Sequence, residues 1–277
     1  MDYYKVRFKN LKDKYVPEVL VAQLAEIGFE SFEEEEDEVI AYIQAPDFEM
    51  DNLLTIENFK SLKATDDIEH ELIVAQNWNA VWESNYDAVT IGSCHIRAPF
   101  HELNEDADFN ILLNPKMAFG TAHHETTSMM IQHVLNSEYK NLRVLDMGSG
   151  TAVLAILASL KGAKNLIAID NDQWAYNNAV ENFELNNIKN IEALLGDAST
   201  LEGLGIFDVI FANINKNILL RDIKHYAKTL KNKGRIYFSG FYQSDLEDIK
   251  LECSKNGLIF VGFLEKNNWI AAEFYRQ

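Results

Sequence analysis

The sequence contains few of the residues that build disulfide frameworks or metal clusters. Its 277 residues include two cysteines, Cys94 and Cys253, and four prolines. Cysteines so far apart in sequence form neither a metal pair nor a disulfide framework, so we predict two buried thiols in a reducing, cytoplasmic compartment. No stretch approaches the ~18 apolar residues of a transmembrane helix, and the first 25 residues lack the apolar core of a signal peptide. We therefore predict no association with a membrane.

Basic residues are also scarce, which limits the range of partners. The chain has 25 Lys and Arg against 43 Asp and Glu, a formal charge of −18. A protein that grips bare nucleic acid needs clustered Lys and Arg, so the composition argues against direct nucleic-acid binding. Most of the acidic excess lies in residues 1–75, much of it in the run Glu33–Glu38. That run indicates either a solvated hairpin tip or a surface that attracts a basic macromolecule.

The first 75 residues have the patterns of a small α+β domain, which we interpret as ferredoxin-like. The predicted elements are strands at Tyr4–Phe8, Val39–Ile43 and Leu72–Ala75 and helices at Pro17–Ile27 and Leu53–Leu62. Such a domain is too small for a large pocket but suits docking. Residues 76–90 then read as a linker helix, because Trp78 and Trp82 lie four apart on one helical face.

Residues 91–277 are predicted to form the second, larger domain, in which apolar strands alternate with helices. The predicted strands are Leu142–Met147, Leu166–Asp170, Ile191–Leu195, Phe207–Asn213, Arg235–Ser239, Leu258–Leu264 and Trp269–Phe274. Strands that are apolar throughout are typical of a parallel sheet covered by helices on both faces. The fold predicted is a doubly wound, mostly parallel, seven-stranded Rossmann-like α/β sheet that ends in an antiparallel hairpin.

A glycine-rich turn follows the first strand of this sheet. Ligands of doubly wound sheets bind beyond the carboxyl ends of the strands, and Gly148 and Gly150 allow the backbone to approach a ligand closely. The dinucleotide fingerprint requires a small residue where Val153 stands, and the mononucleotide Gly-Lys-Ser/Thr pattern is absent. Asp146, two residues before Gly148, favours a cationic ligand and would repel a pyrophosphate.

Two further carboxylates end the next two strands. Asp170 lies 20 residues beyond Gly150, where it could accept hydrogen bonds from ribose hydroxyls or cap the following helix. Asp197 ends the third strand, where an adenine could lie; taken alone, it could equally be a turn residue. Together with Asp146, these carboxylates predict a cradle for a positively charged adenosine derivative. Trp174, just after Asp170, is predicted to pack in the core or against a helix, with a position flanking the adenine as the alternative.

Three segments carry a family resemblance: Asn114–Thr127 (NPKMAFGTAHHETT), Val144–Ala152 (VLDMGSGTA) and Phe207–Ile214 (FDVIFANI). They resemble segments of the class I methyltransferases, and most closely those of the ribosomal protein L11 methyltransferase (PrmA) family. The resemblance covers most of the chain, and the first 75 residues match in layout more than in motif.

The resemblance implies transfer of methyl groups from S-adenosylmethionine to amino groups of a ribosomal protein, L11 above all. The acceptors would be lysine side chains, the N-terminal amine or both, and the N-terminal domain would recognise this basic protein. Asn213 would face the incoming amine as the catalytic residue. The residues implied to bind the cofactor are Phe119, Gly120, Thr121, Asp146, Gly148, Gly150, Asp170, Asp197 and Asn213.

Other functions stay open at the level of sequence. The pair Ala122-His123 and the segment Asn213–Lys216 depart from the usual family pattern, which leaves room for a methyltransferase of small molecules or nucleic acid. A nicotinamide-dependent dehydrogenase and a non-catalytic binding module are further alternatives. No metal is predicted, because the adjacent His123 and His124 lack a third ligand at a recognised spacing.

Overall fold

The computed structural model describes residues 2–9, 17–35, 38–53, 56, 67–74, 87–114 and 120–277. The predictions for Trp78, Trp82 and Phe119 concern residues that lie outside these ranges. The chain divides into two compact units, Met1–Asn85 and Tyr86–Gln277.

The N-terminal unit is an antiparallel sheet whose core is closed by a helix. Its elements are β1 (Tyr3–Phe8), α1 (Pro17–Glu26), β2 (Ser31–Glu35), β3 (Glu38–Gln44), α2 (Met50–Leu53) and β4 (Ile68–Ile73). The strand order is β2-β3-β1-β4, and each neighbouring pair is antiparallel. Alternate residues of β1, Val6 and Phe8, are buried against Leu20 and Leu24 of α1. The period-2 and helical patterns of the sequence therefore meet in one core.

Two boundaries in this unit differ from the sequence prediction. The last strand is Ile68–Ile73 rather than Leu72–Ala75, because its pairing with β1 begins at Ile68, opposite Phe8. Helix α2 ends at Leu53, where the predicted helix began. The rest of that predicted helix, apart from the buried Ile56, lies outside the described residues.

The C-terminal unit contains a small sheet and a large one. The small sheet consists of β5 (Val89–Ile91), β6 (Cys94–Arg97) and β7 (Phe109–Leu112). The large sheet consists of β8 (Arg143–Met147), β9 (Asn165–Asp170), β10 (Ile191–Leu195), β11 (Phe207–Asn213), β12 (Leu230–Tyr242), β13 (Leu258–Lys266) and β14 (Trp269–Arg276). The helices are α3 (Glu125–Leu135), α4 (Val153–Leu160), α5 (Gln173–Leu185), α6 (Lys216–Thr229) and α7 (Leu246–Lys255).

The large sheet has the order β10-β9-β8-β11-β12-β14-β13. Its first five strands are parallel, and the final hairpin adds two antiparallel strands at one edge. Helices α3, α4 and α5 bury apolar residues against one face, and α6 and α7 cover the other. The predicted doubly wound α/β fold is confirmed. Its topology reverses between β8 and β11, which is where such folds bind their ligands.

Three features of this unit were not predicted. The small sheet was missed because strands of three and four residues leave almost no periodic signal. Strand β12 begins at Leu230, five residues earlier than predicted. Trp174 was expected to pack, but 82% of its surface is exposed, so that prediction is wrong.

Both cysteines are free and buried, as predicted. Burial raises the pKa of the Cys94 thiol to about 12 and shifts the pKa of Cys253 upward as well, so neither is a nucleophile at neutral pH. Among the described residues, no helix has both the length and the apolar character that crossing a bilayer requires.

Candidate functional site

The register of the parallel strands brings four predicted site segments to one edge of the large sheet. Met147 lies opposite Ile169 on one side and Ala212 on the other, so the glycine turn stands between Asp170 and Asn213. Asp170 in turn lies opposite Leu195, two residues before Asp197. Parallel strands end at the same edge, and the reversal of topology at β8 leaves a crevice there. Residues 146–213 therefore contribute to one continuous site.

The turn after β8 adopts a conformation that favours glycine. Gly148 and Gly150 have φ angles of 68° and 54°, in the left-handed region. A Cβ on Gly148 would lie 2.2 Å from Cγ2 of Ile214, so the turn packs directly against the residue after Asn213. Ala152 also has a positive φ, 59°, at a position where glycine would be relaxed. An alanine there costs about 1 kcal/mol, and the helix that starts at Val153 tolerates it.

Asp146 lies beneath this turn and is 2% exposed. Its Oδ2 accepts a hydrogen bond from the backbone N–H of Ala155 at 3.1 Å, in the first turn of α4. Burial, together with the smaller effect of the nearby Asp170 carboxylate, raises the pKa of Asp146 to about 8, although the Ala155 hydrogen bond acts in the opposite direction. A buried carboxyl group with so high a pKa is typical of a functional site.

Asp170 holds the glycine turn from the neighbouring strand. Its Oδ2 accepts a hydrogen bond from the backbone N–H of Gly150 at 2.8 Å, and its Oδ1 accepts one from Asp172 at 3.0 Å. Asp172, rather than Asp170, caps helix α5 by accepting from the N–H groups of Trp174 and Ala175. The helix-cap alternative for Asp170 is therefore wrong, and its side chain instead shapes the turn.

Asp197 begins the short 3-10 turn Ala198–Leu201. Its Oδ1 accepts hydrogen bonds from the backbone N–H and the hydroxyl of Ser199, at 2.9 and 2.6 Å. These bonds lower the pKa of Asp197 and keep the carboxylate charged. Asp197 is therefore a turn residue, and its carboxylate also adds a negative charge to this edge of the large sheet.

Asn213 has one amide atom bound and one free. Its Nδ2 donates to the hydroxyl of Thr127 at 3.3 Å, and this threonine is 1% exposed in helix α3. Its Oδ1 is buried and has no hydrogen-bond partner. A buried acceptor left without a partner costs about 1–3 kcal/mol, and Oδ1 lies at the sheet edge where ligands of this fold bind, so a ligand bound there could supply the missing donor.

Gly120, one of the residues implied to bind the cofactor, contacts the glycine turn. Gly120 has a φ angle of 104°, and its carbonyl accepts a hydrogen bond from the hydroxyl of Thr151 at 2.8 Å. The hydroxyl of Thr121 lies 3.2 Å from Nδ1 of His123. His124 caps helix α3, since its ring nitrogen accepts from the N–H of Thr126. The structure thus brings Gly120 to the glycine turn, and Thr121 follows it in the chain.

Buried asparagines on α5 support the site and were missed by sequence reasoning. Asn182, fully buried, accepts from the backbone N–H of Asn114 at 2.9 Å and donates to the carbonyl of Thr151 at 3.0 Å. Asn178 donates to the carbonyl of Asn114. Asparagine repeats every four residues at 178, 182 and 186, and this spacing was the available signal of a polar helix face.

We expect Asn182→Ala to lower the melting temperature by roughly 5 °C. The substitution leaves the N–H of Asn114 and the carbonyl of Thr151 buried without partners, at about 1–3 kcal/mol each. Thermal unfolding followed by circular dichroism measures this shift. Asn177→Ala, at an exposed position of the same helix, is the matched control and should stay within about 1 °C. Equal shifts in the two variants would contradict the supporting role of Asn182.

Comparisons with known proteins agree with this geometry. The family model described as ribosomal protein L11 methyltransferase (PrmA) matches residues 12–277. A ribosomal protein L11 methyltransferase of Bacteroides fragilis is 45% identical over 99% of both chains, and one of Chlorobaculum tepidum is 30% identical over 98% of this chain and 96% of its own. The crystal structure of a ribosomal protein L11 methylase from Lactobacillus delbrueckii subsp. bulgaricus has a TM-score of 0.63 at 28% identity, covering 69% of this chain and all of that one. This chain therefore belongs to the ribosomal protein L11 methyltransferase family.

Proposed function

We propose that this protein transfers methyl groups from S-adenosylmethionine to amino groups of ribosomal protein L11. Family membership supports the reaction and the substrate, and it decides against a nicotinamide-dependent dehydrogenase. Within the structure, the observation that carries the proposal is the buried, unpartnered Oδ1 of Asn213 beside the glycine turn. An acceptor atom at this place suits a substrate that brings an N–H donor.

The strand-edge residues fit S-adenosylmethionine by shape and by charge. The left-handed conformation of Gly148 and Gly150 forms the tight turn at this edge, and the carboxylates suit a ligand with positively charged sulfonium and amino groups. When bound, this cofactor supplies an electrophilic methyl group. We assign Gly148 and Gly150 to its methionine part, Asp170 to its ribose and Asp197 to its adenine. The remaining cofactor contacts are assigned to Phe119, Gly120, Thr121, Asp146 and Asn213.

Asn213 orients the substrate amine and does not deprotonate it. An amide is not a base at neutral pH, and its carbonyl oxygen accepts a hydrogen bond from an amine N–H. A lysine with a pKa of about 10.4 is neutral roughly once in 2,500 at pH 7, equivalent to about 4.6 kcal/mol. Because desolvation lowers the pKa of an amine, a closed site supplies part of this free energy. Alignment of the amine with the methyl group is then the main task of Asn213.

The acidic N-terminal unit is proposed to recognise the protein substrate. We propose that this unit ends at about residue 75 and that residues 76–90 link it to the methyltransferase domain. The following glutamates are exposed on its strands or next to them: Glu30, Glu33, Glu34, Glu69 and Glu71. Such a surface attracts a basic protein and accelerates encounter. Ribosomal proteins are made in the cytoplasm, and we place the reaction there.

Incubation of the protein with purified ribosomal proteins and methyl-labelled S-adenosylmethionine tests this proposal. We expect label on L11, located by mass mapping to lysine side chains, the N-terminal amine or both. Asp146→Ala is expected to abolish the label and Asn213→Ala to reduce it strongly. Label found only on RNA, or only on small molecules, would overturn the substrate assignment. Label on a different ribosomal protein would retain the reaction but change the partner.

A further inference from the structure

The two edges of the large sheet carry opposite charge. The segments at the amino ends of the five parallel strands contain eight Lys and Arg against three Asp and Glu. These segments are residues 136–143, 161–165, 186–191, 202–208 and 230–235. The segments that leave these strands contain one Lys and four Asp; they are residues 147–152, 170–173, 195–199, 213–216 and 240–245. We call the first set the amino edge. It lies at the opposite end of the strands from the cofactor site.

Two of the eight cations on the amino edge form an ion pair with a described residue. Lys231 pairs with Asp208 at 2.7 Å and Arg235 with Glu273 at 2.8 Å. No ion pair with a described residue is found for four exposed lysines; these are Lys140, Lys164, Lys189 and Lys233. Helix dipoles do not account for them, because this effect fades within the last helical turn. Lys189 and Lys233 each lie four residues beyond the end of a helix.

Two polar grooves run along the amino edge. One, of about 460 Å³, is lined by Asn165, Lys189, Asn190 and Glu192, among others. The other, of about 640 Å³, is lined by Glu138, Lys231, Asn232 and Lys233, among others. Arg143 contributes to the first groove and Asp208 to the second, and the backbone N–H of Arg143 donates to Asp208 at 2.9 Å. The grooves are therefore adjacent.

The grooves span the amino ends of five neighbouring strands, β10, β9, β8, β11 and β12. At ~4.8 Å between strands this is a track of about 19 Å. A single small anion occupies far less than this length. Lysine ammonium groups and asparagine amides are donors that bind phosphate oxygens of a nucleic-acid backbone. Ile206 and Leu160 are exposed beside these cations, at 50% and 40%, but two apolar side chains do not form the broad apolar face that a membrane surface selects.

We propose that the amino edge binds the phosphate backbone of RNA. The net charge of −18 led to the prediction of no nucleic-acid binding. That total sums the whole chain, including the acidic N-terminal unit and the carboxylates at the cofactor site, and so conceals the local positive charge of the amino edge. The choice of RNA rests on the proposed function, because a ribosomal protein is itself a binding partner of RNA. The amino edge lies at the other end of the strands from the cofactor site, so RNA bound there leaves that site open.

Fluorescence anisotropy with a fluorescein-labelled RNA hairpin of mixed sequence tests this inference on the full chain. We expect binding at low salt that weakens steeply as KCl rises, because phosphate neutralisation releases counterions. The double variant K189Q/K233Q removes one unpaired cation from each groove. It should weaken binding roughly tenfold and reduce the slope of log K against log salt by about 2.

The matched control is K250Q/K266Q, which makes the same change of charge away from the amino edge. It should leave RNA binding within about twofold. Equal losses in both variants, or no RNA binding by the wild type at low salt, would overturn the inference. Binding to anionic lipid vesicles but not to RNA would do the same, as would complete competition by millimolar inorganic phosphate. Methylation of RNA-free L11 should be unchanged in K189Q/K233Q, so failure of RNA binding is distinguishable from failure of the proposed reaction.

Discussion

Asn213→Ala is expected to lower kcat for methyl transfer on the order of 100-fold, the cost of a poorly placed reactant. The buried Oδ1 of Asn213 has no partner within the chain, and its Nδ2 is held by Thr127. Alanine removes the atom that orients the amine and leaves the glycine turn and its carboxylates in place. The affinity for S-adenosylmethionine, measured by calorimetry, should therefore change much less than kcat, which single-turnover kinetics reports.

Thr127→Val tests the orientation of the Asn213 amide while leaving the amide itself in place. Valine has nearly the shape of threonine but lacks the hydroxyl that accepts from Nδ2 of Asn213. The amide is then free to rotate, and we expect a loss of kcat of roughly tenfold, smaller than that of Asn213→Ala. If Asn213→Ala were folded and kept kcat within about threefold of wild type, the orienting role would be refuted. An equal loss in affinity and in kcat would instead assign Asn213 mainly to cofactor binding.

The sheet and the glycine turn were predictable because their signals are local. Apolar runs such as Phe207–Asn213 and the Asp146–Gly150 spacing lie within a few residues of one another. The order of the strands then follows from the rules of parallel sheets, which bring Asp170 beside the turn. Sequence reasoning could thus place the site at one edge of the sheet.

The supporting contacts were not predictable, because they join residues far apart in sequence. The hydrogen bond between Asn213 and Thr127 spans 86 residues, and that between Asn114 and Asn182 spans 68. No local pattern specifies which distant backbone group an asparagine reaches. Trp174 shows the opposite error: a large apolar side chain favours burial, yet its helix begins at the open end of the sheet, and the indole is exposed. Propensity alone does not reveal this position.

Asp146 makes the stability of the cofactor-free protein depend on pH. Its pKa is about 8 in the folded chain, because the carboxyl group is buried, against about 3.9 in an unfolded one. Between these values the folded chain holds a proton that the unfolded chain has lost. The contribution of Asp146 to stability therefore falls as pH rises from about 4 to 8 and then levels off. Urea unfolding at several pH values measures this slope.

Asp146→Asn fixes the side chain in a neutral form of the same shape. We expect it to remove this part of the pH dependence and to stabilise the cofactor-free chain by roughly 2–4 kcal/mol at pH 8 and above. Its amide retains an oxygen for the N–H of Ala155, so the fold is kept. If the unfolding free energies of variant and wild type stayed parallel from pH 5 to 9, the raised pKa would be disproved.

The same substitution should weaken binding of the cationic cofactor roughly 10- to 100-fold at pH 8, because a neutral amide does not attract its positive charges. In the wild type, a cation near Asp146 favours the ionised carboxylate, so binding releases a proton and affinity rises with pH up to about 8. The Asn variant lacks this rise. A residue with a purely structural role would lose stability and affinity together on substitution. If Asp146→Asn instead raises the free energy of unfolding and lowers the affinity for the cofactor, then the Asp146 charge destabilises the fold and is needed for binding.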